Sequence, residues 1–169
     1  MPRPGATHGG GPQTPVLSLP GRLGAEYVAE DGKKHQPLMV HRALFGSVER
    51  FFGILVEHYA GAFPVWLAPV QAIVLPITDK QTDYARQVSA RLSAAGIRAA
   101  LDDRGEKVNL KIREAQLQKI PYMLVVGARE AQDGTVAVRH RKHGDQGTRP
   151  LDGFIHDLRR LIDTRAASE

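Results

Sequence analysis

Ala72-Ile-Val-Leu-Pro-Ile77 is an unbroken apolar run, the mark of a strand buried on both faces. A strand of that kind needs helices above and below it, which points to an α/β arrangement. The chain that follows keeps alternating. Thr78-Asp-Lys-Gln81 has the form of a capping box, and its helix places Tyr84, Ala85, Val88, Leu92 and Ala95 on one side before Gly96 ends it. Residues 97–101 read as a second strand. Residues 106–119 read as a helix with Val108, Ile112 and Ala115 inward, stopping ahead of Pro121. Residues 122–126 are a third strand, closed by Gly127. Residues 135–141 are a fourth, after the turn Asp133-Gly134, and residues 151–164 are a last helix with Phe154, Leu158 and Leu161 inward. The order β-α-β-α-β-β-α predicts a mixed β-sheet with helices on its faces, an α/β domain over residues 69–165.

The upstream part reads differently. Residues 1–24 are rich in Pro and Gly with no apolar period, and are expected to be a disordered tail. Residues 25–40 read as a hairpin around Asp31-Gly32, with Leu38, Met39 and Val40 on the return strand. Residues 47–59 have helical spacing, with Val48, Phe51, Phe52, Leu55, Val56 and Tyr59 on one side and Ile54 on another. This helix is therefore expected to be buried all round. Gly61 to Pro69 is a connector broken by two prolines, and the domain boundary is expected between residues 68 and 69.

Composition excludes several classes. The 169 residues include no cysteine, so there is no disulfide framework and no thiolate chemistry. The chain opens without a secretory signal pattern, and its most apolar stretch, Phe51 to Val56, is too short to span a membrane. A cytoplasmic protein is expected. The net charge of +5 suits a polyanion such as RNA, and equally suits an ordinary solvated surface.

Specific motifs narrow this further. Leu38-Met-Val-His-Arg-Ala-Leu-Phe-Gly-Ser-Val-Glu-Arg50 leads into the apolar helix, and His58-Tyr-Ala-Gly-Ala-Phe-Pro-Val-Trp-Leu-Ala-Pro-Val-Gln71 follows it. Lys111-Ile-Arg-Glu114 and Ile120-Pro-Tyr-Met-Leu-Val-Val-Gly127 continue in the same order. Together these stretches resemble the threonyl-tRNA synthetase family of class II aminoacyl-tRNA synthetases. The resemblance implies that residues 25–68 are the end of a class II catalytic domain with its motif 3, and that residues 69–165 are the anticodon-binding domain.

By that resemblance Arg50 is the motif 3 arginine on the ATP phosphates, a role a bidentate, always-charged guanidinium suits. Gly46 and Ser47 belong to the same ATP-binding element, with Ser47 also capping the helix. Arg50 would otherwise be a helix-start arginine paired with Glu49 or facing solvent. His41 corresponds to one of three ligands of a catalytic zinc. The family's other two ligands, a cysteine and a histidine, lie upstream, and no cysteine exists here, so His41 is expected to be an orphan ligand. Motifs 1 and 2 have no counterpart, and stand-alone catalysis is not expected.

Arg113, Glu130 and Arg139 correspond to residues that contact anticodon bases in the family. Unstacked anticodon bases are what sequence-specific RNA readers target. Lys107, Lys111 and Lys142 are candidates for backbone phosphates. Strand alternation puts Arg139 and Arg141 on one face. An ordinary charged helix surface and sheet edge would have the same residues. Gly105 stands where many family members have asparagine. The expectation is a piece of a threonine–tRNA ligase that binds the tRNA(Thr) anticodon. The parent reaction is ATP-dependent charging of tRNA with threonine, with ATP, Mg and Zn as its cofactors and none expected on this chain alone. A separate chain carrying the rest of the catalytic domain is a further expected partner. Other readings are a stand-alone RNA-binding or accessory module, and a gene fragment without function.

Overall fold

The computed structural model describes residues 13–16, 18–42 and 46–166. The chain divides into two compact units between Leu55 and Val56.

In the first unit β1 (Gln13–Val16) pairs antiparallel with β4 (Met39–Arg42), from Gln13↔Arg42 to Val16↔Met39. Between them lie α1 (Ser18–Arg22) and the small hairpin of β2 (Tyr27–Val28) and β3 (Lys34–His35). Two expectations are corrected here. Of the expected disordered tail, Gln13–Val16 form a strand, for which β4 offers a hydrogen-bonding edge, and Ser18–Arg22 a short helix, while residues 1–12 lie outside the described residues. The hairpin does turn at Asp31-Gly32, where Asp31 accepts from the amide of Lys33 at 3.0 Å and contacts His35 at 2.9 Å. Its return strand, however, is Lys34–His35, and Met39 and Val40 belong to the strand that pairs with β1.

Helix α2 (Val48–Tyr59) starts in the first unit and ends in the second. Ser47 caps it: its hydroxyl accepts from the amide of Arg50 at 3.3 Å and donates to Glu49 at 2.8 Å. No residue of this helix is buried, which corrects the expectation of an all-round core helix. Phe52 and Ile54 are more than half exposed, at 58% and 56%. An apolar helix of this kind stabilises a fold only where something covers it.

The second unit holds the sheet. Its order is β6 (Ala99–Leu101), β5 (Ala72–Pro76), β7 (Tyr122–Val126), β8 (Thr135–His140) and β9 (Gly144–Pro150). β5 is parallel to β6 and to β7, while β7, β8 and β9 run antiparallel in turn. Helices α3 (Thr82–Ala94) and α6 (Leu151–Asp163) cover one face, where Val74, Leu124, Val136 and Val138 pack with Val88, Leu92, Phe154 and Leu158. Helix α4 (Val108–Leu117) lies on the other face, with Ala115 against Ile73, Leu75 and Met123. The mixed α/β sheet read from the sequence is present. Two elements were not legible: β9, and the short α5 (Ala128–Asp133) between β7 and β8. Thr78 does not close a capping box; it donates to the side chain of Gln81 at 2.6 Å across a 3₁₀ turn, Asp79–Gln81, that precedes α3.

The connector belongs to the second unit rather than dividing the chain at its end. Its two prolines deny it regular structure, so its carbonyls need other donors. Arg141 donates to Ala62 and Phe63, and Arg98 to Trp66 and Ala68. Gln71 donates to Val65, and Lys119 to Ala60. Val65 and Ala68 are buried beneath this cradle. Among the described residues no helix is long and apolar enough to cross a membrane.

Candidate nucleic-acid interface

Parallel strands β5 and β6 end side by side, and the segments leaving them diverge. Ile77, Thr78 and Asp79 form one wall of a cleft of about 290 Å³, and Arg104, Gly105, Glu106 and Lys107 form the other. Crevices outside the carboxyl ends of parallel strands are the usual ligand sites of open α/β sheets.

Lys111 forms the floor. It is only 3% exposed, and its Nζ donates to the carbonyls of Pro76 at 3.3 Å and Asp102 at 3.2 Å. The role expected of Lys111 on a phosphate is thus corrected to a structural one, since its ammonium is spent on the strand ends. Arg104 binds both carboxylate oxygens of Asp102, at 2.8 and 2.7 Å, and also reaches Glu114. These bonds hold the Asp102 carboxyl below its ordinary range, with burial opposing them. The same two carboxylates push the guanidinium of Arg104 further up. Arg104, Thr78 and Asp79 were not singled out as site residues from the sequence, where Thr78 and Asp79 read only as part of a capping box. Their only signal there was a cluster of polar residues directly after two buried strands.

A second cleft of about 200 Å³ lies on the α4 face, lined by Ile112, Val125, Ala137, Val138, Arg139 and Asp145. Alternation along β8 buries Val136, Val138 and His140 and turns Ala137 and Arg139 toward this face. The register shifts between Ala137 and Arg139, and Arg139 then pairs across to Asp145. The Nε of Arg139 is buried without a hydrogen-bond partner among the described residues. Arg113 is exposed on α4 one residue past Ile112, and so lies about 100° round the helix from this cleft.

Glu130 accepts from the amide of Gly127 at 2.9 Å, as the third residue of α5. A Cβ on Gly127 would lie 2.9 Å from both Glu130 Oε2 and Ile77 Cδ1, which brings Glu130 next to the first cleft. Lys107 is exposed on that cleft's rim. Lys142 is exposed in the turn at the far end of β8, where its amide and that of His143 donate to Nδ1 of the buried His140. Arg141 does not share the face of Arg139, because β8 ends at His140 and the next side chain turns to the connector.

Residues 71–161 match a protein family described as the anticodon binding domain. The chain belongs to this family. The threonine–tRNA ligase of Acidobacterium capsulatum is 58% identical over 150 residues, covering 89% of this chain and 22% of that protein. The threonine–tRNA ligase of Caldanaerobacter subterraneus is 57% identical over 150 residues, covering 89% and 23%. The RNA binding domain of threonyl-tRNA synthetase from Cryptosporidium parvum superposes with a TM-score of 0.78 at 36% identity, covering 88% of this chain and 38% of that one. The chain thus spans less than a quarter of the length of these two ligases. Within the anticodon-binding domain, Lys107 and Lys111 line the first cleft, Glu130 lies beside Ile77 of its wall, Arg139 lines the second cleft, and Arg113 lines neither. Lys142 stands apart.

The remaining sequence candidates lie in or near the first unit. Gly46 takes a left-handed φ of 65° ahead of α2, and Arg50 is exposed in the first helical turn. Glu49, considered as a partner for Arg50, is bonded to Ser47 instead. The backbone of His41 lies in β4 opposite Thr14, and its side chain is outside the described residues. Among the described residues no group of three His, Cys, Asp or Glu side chains is placed to hold a metal ion.

Proposed function

We propose that this anticodon-binding domain reads the anticodon of tRNA(Thr). The observation that carries the reading is Arg139 lining an open cleft on the α4 face of the sheet, within residues that match the anticodon binding domain. Arg139 and Arg113 contribute donors to base edges, and Glu130 an acceptor, while Lys107 and Lys142 hold phosphates. The high identity to threonine–tRNA ligases favours threonine's tRNA over others. The work belongs with translation, in the cytoplasm.

Arg50, Ser47 and Gly46 supply one cation at an exposed helix start. That donor set does not fit an adenosine triphosphate with its magnesium, and His41 alone does not fit a catalytic zinc. We therefore assign this chain no adenylation step. The exposed apolar side of α2 supports a separate partner carrying the rest of a catalytic domain, which would cover Phe52 and Ile54.

The test is binding of two anticodon stem-loops, one with a threonine anticodon and one altered at its second and third bases. The reading expects clear preference for the first and a loss of that preference in Arg139→Gln. Equal affinity of the unmodified chain for both would sink it.

A further inference from the structure

Strands β6, β5 and β7 are parallel neighbours and deliver their chains to one edge of the sheet. An exposed cation follows each of them. Lys107 comes after β6, Lys80 lies in the 3₁₀ turn after β5, and Arg129 is the second residue of α5 after β7. None of the three has an ion pair or side-chain hydrogen bond among the described residues. Neighbouring strands are about 4.8 Å apart, so the three strand ends that these cations follow span about 10 Å of sheet edge. The turn that holds Lys80 packs on α5, which holds Arg129.

The face covered by α3 and α6 is charged differently. There Arg91 pairs with Asp152, Arg149 with Asp157 at 3.5 Å, and Arg159 with Asp163 at 3.9 Å, with Arg160 the exception. Near the sheet edge some carboxylates have partners. Asp102 is held by Arg104, Asp103 by Arg86 at 3.3 Å, and Glu130 by the amide of Gly127. Asp79 and Glu106 remain on the cleft and moderate the field. The edge that carries the cleft thus mixes both signs, with Asp79, Glu106 and Glu130 next in sequence to Lys80, Lys107 and Arg129, and these three cations are set apart by exposure and by having no ion pair among the described residues.

We propose that Lys80 and Arg129 bind backbone phosphates of the RNA, forming with Lys107 a track across the ends of β6, β5 and β7. This rests on the reading of the domain as an RNA binder. The track positions the strand without reading its sequence, while Arg139 reads bases on the adjoining face. Neutralising phosphates releases counterions, so each contact adds to the salt dependence of binding.

The experiment measures affinity of the 169-residue chain for both anticodon stem-loops as salt rises from about 50 to 300 mM. Lys80→Gln and Arg129→Gln should each lower affinity by the same factor for both RNAs, and each should reduce the slope of log K against log salt by about 0.7. Arg91→Gln, on the ion-paired face, should leave the slope unchanged. Slopes equal to the unmodified chain's in both variants would overturn the track, as would a loss confined to one RNA. If the unmodified chain binds both RNAs equally, the anticodon reading fails, while a slope reduction on both still upholds the track. Absence of binding to either RNA overturns both.

Discussion

Nη2 of Arg141 donates to the carbonyl of Phe63 at 2.6 Å, joining the end of β8 to a segment 78 residues earlier. Nη1 of the same guanidinium donates to Lys119 at 2.8 Å, so one side chain ties the connector to the loop between α4 and β7. The connector is ordered by these donors rather than by any local preference.

Arg141→Ala should therefore destabilise the second unit well beyond an ordinary surface change. Hydrogen bonds from an ionised donor contribute roughly 1.5–3 kcal/mol each, and water replaces part of that at the half-buried carbonyls. A loss of about 2–4 kcal/mol in urea unfolding is expected. Arg86→Ala, which breaks exposed ion pairs with Asp83 and Asp103, should stay within about 1 kcal/mol. Similar losses for the two variants would contradict the role given to Arg141.

Lys111 and Lys107 are four residues apart and should behave oppositely. Lys111→Met keeps the buried stem but leaves the carbonyls of Pro76 and Asp102 without their donor, at a cost of about 1–3 kcal/mol in stability. It should leave the salt slope of RNA binding unchanged. Lys107→Gln should leave unfolding unchanged and lower the slope by about 0.7. Salt titrations and urea melts on the two proteins decide this.

Gly105 has nothing within 4 Å of the position a Cβ would take, and its backbone is not left-handed. Gly105→Asn should fold normally and place an amide in the first cleft. One added hydrogen bond to RNA contributes about 0.5–1.5 kcal/mol, a gain of roughly two- to tenfold in affinity for the threonine-anticodon stem-loop. Unchanged or weaker binding in a titration would count against this cleft as a base-contacting site.

Asp102 titrates lower in the folded chain than its ordinary value of 3.8, chiefly through its hydrogen bonds from Arg104. The unfolded state therefore binds the proton more readily. The stability this contributes is complete above the unfolded value and is lost as pH falls through the folded one. Thermal melts below about pH 5 should show a steeper fall for the unmodified chain than for Asp102→Asn, with the two curves converging in acid. Parallel curves would refute the assignment.

Much of the architecture was legible because it is local. The apolar run of β5, the apolar strand of β7 and the helical spacing of α3 and α6 each announce their element through periodicity. β9 announces nothing: Gly144-Asp-Gln-Gly-Thr-Arg-Pro150 has no alternation, and it is a strand because β8 offers it a ladder. The burial of Lys111 had a signal that its charge masked, since it lies three residues past Val108 and four before Ala115, both on the inner side of α4. Helix α2 shows the converse, where an apolar pattern states what a helix needs but not whether its partner is present.

The sequence by itself determined the strands β5 to β8, the helices α3, α4 and α6, their order, and the kinship of residues 71–161 with anticodon-binding domains. Those properties follow from side-chain period and motif, which neighbours in the chain express. Only the tertiary structure decided which cations are available. Lys111, Arg104, Arg98 and Arg141 are engaged within the fold, while Lys80, Lys107 and Arg129 are left facing outward at one sheet edge. The carbonyls and carboxylates that claim the first group are brought to them by folding, and no spacing along the chain records those distances.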